Sequence, residues 1–201
     1  PNPVVGNAEF LEVKNYFDGP NQIVDCLYKG DLKKVRWTIL PSGWLKLEVT
    51  YKAPNHNKFM GISFNFPEDQ VSGIRWMGNG PYRVWKNRMK GNTLNVWEKA
   101  YNNTVTGESW EYPEFKGYYR DFYWGTFQNK TQNFTVVCPD NDIFLRLFTP
   151  EKPKGAGNDN TSPEFPKGNI SFLHGINPIG TKFTKAETLG PMSQPNQYLN
   201  E

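Results

Sequence analysis

The sequence predicts an all-β protein made of antiparallel strands. Short segments alternate apolar and polar residues, which is the period of a half-buried strand. The 18 glycines and 16 prolines fall mainly between those segments, where turns are expected. No stretch of about 12 residues or more has the 3.6-residue apolar period of a helix. Many short strands separated by turn residues are typical of a sandwich or a barrel.

The clearest strand is Trp44–Tyr51, in which Leu45, Leu47 and Val49 share one face. Lysine, glutamate and threonine alternate with them, so that the opposite face is polar. The segment 33–40 precedes this strand, and the Pro, Ser and Gly between the two segments favour a tight turn. These residues therefore predict a hairpin.

The same alternation predicts further strands at 59–66, 117–129, 133–139, 143–150 and 170–176. A polar turn, residues 129–132, joins two of them as a second hairpin. The best helix candidate is Thr93–Ala100. Residues 150–168 are rich in Pro, Gly and polar side chains, so we expect a loop that connects strands. Because no linker typical of a domain boundary interrupts the strands, we expect one domain over residues 1–201.

Composition and charge argue against several classes of protein. The net charge is +3, and the 23 basic and 20 acidic residues are spread along the chain. Since no basic block is present, nucleic acid is not an expected partner. No apolar run approaches the roughly 20 residues that span a bilayer, so a membrane is not an expected partner either.

The two cysteines and two histidines do not form a metal-binding pattern. Cys26 and Cys138 lie far apart in the sequence and lack the spacing of zinc ligands. Two free buried thiols are the favoured interpretation, and a disulfide is the alternative. We interpret His56 as a solvated turn residue and His174, at the end of a strand, as a hydrogen-bonded structural residue. We therefore expect no metal and no cofactor.

A pair of carboxylates is what acid and base catalysis on a glycoside requires. Glu108, Glu111 and Glu114 are the candidates. Because alternate residues of an extended segment point the same way, Glu108 and Glu114 would share a side. Exposed charges in a turn or an edge strand explain these residues better. The sequence also has no nucleophile elbow, no phosphate loop and no Cys/His pairing. We therefore expect no self-contained catalytic machinery.

The segment Arg75–Trp85, "RWMGNGPYRVW", combines turn-forming residues with aromatic and basic ones. Gly78 and Gly80 can adopt backbone conformations that other residues cannot, and Pro81 restricts the backbone where the chain leaves this turn. These features predict a shaped surface loop, where binding residues are frequent. We expect Trp76 to pack inward and the loop to face a neighbouring domain, with sugar contact as the second interpretation.

Aromatic rings suit the apolar faces of sugars, and Arg, Asn and Glu suit sugar hydroxyls. For most aromatic residues of this chain a place in the core is the simpler interpretation. The candidates for contact with a carbohydrate or a neighbouring domain are Arg75, Asn79, Tyr82, Arg83, Trp85, Trp110, Glu111 and His174.

The segment "WMGNGPYRVWKNR" resembles the Trp-x-Gly-x-Gly-Pro motif in the C-terminal small-chain domain of β-galactosidases from glycoside hydrolase family 2. Three other segments are similar to that domain in the same order: "RWTILPSGWLKLEVTY", "YPEFKGYYRDFYW" and "ISFLHGINPIGTKFTKAETLG". The resemblance covers roughly residues 9–198, and it is strongest to the long family 2 enzymes of Bacteroides-like bacteria.

The resemblance implies a galactose-mutarotase-like supersandwich, which is a large antiparallel domain of two sheets. Family 2 enzymes carry their catalytic glutamates in a central (β/α)8 barrel that this chain does not contain. The chain is therefore expected to be a non-catalytic piece from the C-terminal part of a longer enzyme that hydrolyses O-glycosyl bonds. Its expected partners are the barrel of that enzyme and a galactoside-like carbohydrate, in the periplasm or outside a bacterial cell.

The resemblance does not transfer one known sugar contact. In the best-known relatives, a Trp from a late loop of this domain stacks on the sugar. The comparable residues, 181–192, contain no Trp, and the position falls near Leu189 or Gly190.

Two other functions remain as alternatives. The first is an autonomous carbohydrate-binding module that uses exposed aromatic residues. The second is a mutarotase-like enzyme that uses His174. The Asn-His motif of aldose epimerases is not matched, because the "NHN" at 55–57 lies in a turn.

Overall fold

A computed structural model describes residues 8–52, 57–107, 111–154 and 160–194. The chain forms two compact units, one within residues 1–57 and one within residues 58–199. Each unit contains one antiparallel sheet, and the regular structure of the described residues is otherwise limited to three short 3-10 turns. The all-β prediction is therefore confirmed. The single domain over residues 1–201 stays a prediction.

The first unit is a four-stranded meander in which each strand pairs with the next along the chain. Its strands are β1 (Ala8–Asp18), β2 (Asn21–Gly30), β3 (Leu32–Ile39) and β4 (Leu45–Tyr51). The predicted hairpin joins β3 to β4, and its turn is closed by hydrogen bonds from Gly43 N to Leu40 O and from Leu40 N to Trp44 O. Gly43 has a φ of 85°, which glycine adopts without strain.

The two faces of this sheet differ in charge. Where no bulge interrupts the ladder, one face carries twelve side chains, of which none is charged and none is buried. We call it the uncharged face; it consists of Val13, Asn15, Phe17, Gln22, Val24, Cys26, Val35, Trp37, Ile39, Leu45, Leu47 and Val49. The opposite face carries the charged side chains, including Asp25 and Arg36 of neighbouring strands.

The second unit is a seven-stranded antiparallel sheet. Its strands are β5 (Met60–Phe64), β6 (Val71–Val84), β7 (Thr93–Ala100), β8 (Gly117–Asn129), β9 (Phe134–Val137), β10 (Phe144–Leu147) and β11 (Ile170–Gly175). Their order is β5-β11-β10-β8-β6-β7, and β9 pairs with the C-terminal half of β8. The second predicted hairpin, β8 to β9, is confirmed.

The main core of the second unit lies on one face of this sheet. Trp76 and Ile74 of β6 pack there with Tyr119, Phe122 and Phe127 of β8, all buried. The ring of Phe127 stacks on that of Phe134, with centroids 4.6 Å apart. The inward position predicted for Trp76 is confirmed.

Two expectations about local structure are wrong. Thr93–Ala100 is strand β7, which forms the edge of the sheet and pairs with β6 from Gly73 to Gly80. Tertiary pairing decides this element, since its residues have no helical apolar stripe. Most of Arg75–Trp85 lies in strand β6 rather than in a surface loop, because both β7 and β8 pair with it.

Both cysteine thiols are free, as predicted, but they are half-buried rather than buried. Burial raises the pKa of the Cys138 thiol.

Among the described residues, no helix is long and apolar enough to cross a membrane.

Candidate functional site

The two glycines of the Trp-x-Gly-x-Gly-Pro segment are required by close packing. A Cβ on Gly80 would lie 2.7 Å from Cδ1 of Trp97 and 2.9 Å from Cζ2 of Trp76. A Cβ on Gly78 would lie 2.8 Å from the backbone oxygen of Asp121. Neither glycine has a left-handed φ, so the predicted special backbone shape is corrected: the constraint is space.

The indole that these glycines accommodate lies under a buried lysine. Trp76 meets the ring of Tyr119 edge-on, with centroids 5.2 Å apart. The Lys99 ammonium lies 4.8 Å from the Tyr119 ring centroid and 5.8 Å from that of Trp76. It donates to Tyr119 Oη at 2.9 Å and to the backbone oxygen of Glu114. Burial lowers the pKa of Lys99 to about 7, against the attraction of Glu114.

Glu114 belongs to the interior of the second unit. Its side chain is 9% exposed, and its Oε1 lies 3.8 Å from Nε of Arg83, whose side chain is 7% exposed. Arg83 also donates to the backbone oxygens of Val105 and Lys116, at 3.1 and 3.4 Å. The interpretation of Glu114 as an exposed charge is therefore wrong. An enclosed carboxylate with an arginine partner is not placed to act on an external glycoside.

Trp85 lies in a second aromatic cluster. Its ring meets Tyr118 and Phe165 edge-on, with both centroid distances 5.5 Å, and it is 5% exposed. Tyr118 and Phe165 stack on each other at 4.9 Å. The described side chains around Trp85 therefore cover most of its ring.

Arg75 and Asn79 lie on the face of β6 opposite the main core. The sheet ladder places side chains of β7, β8 and β9 on this same face. We call it the Trp124 face; it consists of Arg75, Met77, Asn79, Leu94, Val96, Glu98, Trp124, Thr126, Gln128, Thr135 and Val137. Its strands span about 14 Å, or three interstrand spacings.

An apolar row and a polar row run side by side across this face. In the apolar row Val96 pairs with Met77, Met77 with Trp124, and Trp124 with Val137. Val96 and Val137 are exposed, Trp124 is half-buried, and none of the four belongs to either core cluster. The apolar row therefore presents its side chains outward.

The polar row and its neighbours are largely paired. Gln128 donates to Glu98 Oε1 at 2.9 Å, and the hydroxyls of Thr126 and Thr135 lie 2.8 Å apart. A Cβ on Gly73 would lie 2.4 Å from Oε1 of Gln128, so glycine leaves room for the Gln128 amide to cross β6.

Asn79 and Arg75 differ in their partners. Asn79 donates to the carboxylate of Asp121, and Arg120 lies 3.2 Å from that same carboxylate. Arg75 is exposed and, within the described part of the chain, its guanidinium has no hydrogen-bond or ion-pair partner.

The remaining predicted residues are scattered. Tyr82 is exposed at the end of β6, where its backbone exchanges hydrogen bonds with the Asn92 side chain. His174 is exposed on β11, and Glu111 is exposed ahead of β8. Trp110, with Glu108 and His56, lies outside the described residues. Contact with a carbohydrate or a neighbouring domain stays a prediction for all eight candidates.

The described residues contain no group of three His, Cys, Asp or Glu side chains that could hold a metal ion. The arrangement that remains is an aromatic and cationic surface on an exposed sheet face. Such a surface can stack on a ring and donate hydrogen bonds.

Comparison with protein families gives the class of this chain. The family model described as the beta galactosidase small chain matches residues 11–156. The chain therefore belongs to the β-galactosidase small-chain family. A comparison with curated proteins found no match.

Sequence reasoning did not select Trp124. The signal was present, because Trp124, Thr126 and Gln128 alternate with the buried residues Gly125 and Phe127. The outward position of Trp124 was not recognised because this segment has many aromatic residues, and most of them do belong to the core.

Proposed function

We propose that this chain is a non-catalytic domain from the C-terminal part of a glycoside hydrolase family 2 enzyme of the β-galactosidase type. The observation that carries the proposal is the small-chain family match over residues 11–156. The four segments that resemble family 2 enzymes of Bacteroides-like bacteria support the finer assignment, and with it a galactose-mutarotase-like supersandwich fold.

In this proposal the domain packs on the catalytic barrel and contributes to carbohydrate binding. The uncharged face supports the packing, because exposed apolar patches of this kind mark interaction surfaces. The enclosed ion pair of Glu114 and Arg83 supports the non-catalytic role. A periplasmic or extracellular bacterial location agrees with an enzyme that degrades external sugars.

The non-catalytic role is tested by incubating the purified chain with 4-nitrophenyl β-galactoside at high protein concentration. We expect no release of nitrophenol above the buffer rate, because the acid and the nucleophile are supplied by another part of the enzyme. Hydrolysis that persists through purification, and is lost in Glu111→Gln, would refute the proposal. A Glu187→Gln variant serves as the matched control, since it removes a different exposed carboxylate.

A further inference from the structure

The Trp124 face places an aromatic ring where solvent reaches it. Trp124 lies between Met77 and Val137, and Val137 is 56% exposed. Among the described residues Trp124 has no aromatic ring partner, in contrast to Trp76 and Trp85. Its ring thus has area left for a ligand to cover, flanked by aliphatic side chains.

Arg75 stands diagonally across the ladder from Trp124. Arg75 pairs with Thr126, and Met77 pairs with Trp124. Arg75 and Trp124 are therefore diagonal neighbours on adjacent strands, and diagonal neighbours lie about 7–8 Å apart. Glu98 lies opposite Arg75 on β7 but accepts from Gln128 instead. The guanidinium donors of Arg75 are therefore available to a ligand that lies on Trp124.

The charges favour a sugar over a protein surface as the occupant. An apolar protein surface would bury Arg75, for which the described residues supply no counter-charge, and an uncompensated buried charge is costly. A sugar ring has one apolar C–H face and a rim of hydroxyl groups. The ring of Trp124 can pack on that face while the hydroxyls accept from Arg75 and exchange hydrogen bonds with Glu98 and Gln128.

We propose that the Trp124 face is a carbohydrate-binding site for β-linked galactosides, with Trp124 as the stacking platform and Arg75 as the main donor. The site itself is argued from this geometry, and the galactoside class rests on the proposed function. The site lies within one sheet of one unit, so the isolated chain contains all of it.

The test is isothermal titration calorimetry of the full chain with β-1,4-galactotriose and with cellotriose. We expect saturable binding of the galactoside, at least about tenfold weaker in Trp124→Ala and about tenfold weaker in Arg75→Ala. Trp44→Ala is the matched control, because Trp44 is 50% exposed but lies in the β3–β4 turn. Its affinity should equal that of the unchanged chain.

Arg75→Ala keeps the test decisive if Trp124→Ala does not fold, since Arg75 is exposed and its side chain has no partner among the described residues. Absence of binding to both sugars, or equal binding by all variants, overturns the site. Protein self-association that is lost in Trp124→Ala, without sugar binding, overturns it in favour of a protein interface. Binding of cellotriose alone, lost in Trp124→Ala, upholds the site but contradicts the galactoside class and weakens the proposed function.

Discussion

Gly80 shows how a single missing Cβ shapes this domain. Gly80→Ala would press the new methyl group against the indoles of Trp97 and Trp76, so we expect a loss of about 1–3 kcal/mol of unfolding free energy. Urea denaturation measures it. In a Trp97→Phe background the added cost should shrink, because the smaller ring leaves part of that space free. Equal costs in both backgrounds would show that the Trp97 indole does not impose the constraint.

Lys99 makes the stability of the second unit depend on pH. Its pKa falls from 10.5 to about 7 on folding, so the unfolded chain binds more protons between these values. The free energy of unfolding should therefore rise with pH above about 7, by at most about 1.4 kcal/mol per pH unit. Lys99→Met should remove this rise, whereas Lys90→Met, which replaces an exposed lysine, should keep it. Urea titrations from pH 6.5 to about 8 stay below the ordinary pKa values of cysteine, about 8.5, and tyrosine, about 10. Ionisation of Cys138 and of the buried tyrosines in the unfolded chain then contributes little.

At the level of strands, a cross-strand ion pair links β2 to β3. Arg36 Nε and Nη2 each donate to the Asp25 carboxylate at 2.7 Å, and Tyr16 of β1 donates at 3.1 Å. The hydrogen bonds from Arg36 are the main cause that lowers the pKa of Asp25 from 3.8 to about 2. The stabilisation of the fold by the Asp25 carboxylate is therefore complete above the ordinary pKa of aspartate and is lost as the pH falls towards 2.

Asp25→Asn should therefore destabilise the first unit by about 1–2 kcal/mol at pH 7 and by much less at pH 2. Hydrogen exchange of the β2 and β3 amides at several pH values measures this difference. Glu9→Gln is the control, because Glu9 pairs with Lys29 at 3.8 Å on the same sheet while both side chains remain well exposed. An equal effect of the two substitutions would contradict the account of this ion pair.

Strand periodicity predicted most elements of the fold, because alternation of apolar and polar residues is a local property. It identified β4, β8 and β9 and both hairpins. It did not identify β1 or β2, and Arg75–Trp85 of β6 was expected to be a loop. It also missed β7, whose strand conformation comes from pairing with β6. The burial of Trp85 and Arg83 could not be predicted either. It depends on contacts with residues distant in sequence, such as Phe165 and Val105.

Across the whole molecule, the uncharged face is the surface that the packing proposal requires. A hydrophobic dye such as ANS should bind the isolated chain there, because twelve uncharged side chains lie together and none is buried. Val35→Lys with Leu47→Lys should lower the dye signal by about half or more while the melting temperature changes little. Thr50→Lys, on the opposite face of β4, should leave the signal unchanged. A signal unaffected by the double substitution would place the dye elsewhere and contradict this use of the uncharged face.

Galactoside binding to the Trp124 face can be mapped directly on the full chain by NMR. The ¹⁵N-labelled chain is titrated with β-1,4-galactotriose, and the amide shifts are followed to saturation. We expect the largest changes to cluster on β6, β7 and β8 around Arg75, Glu98 and Trp124. Changes centred on Tyr82 or His174, or none at saturating sugar, would contradict this expectation.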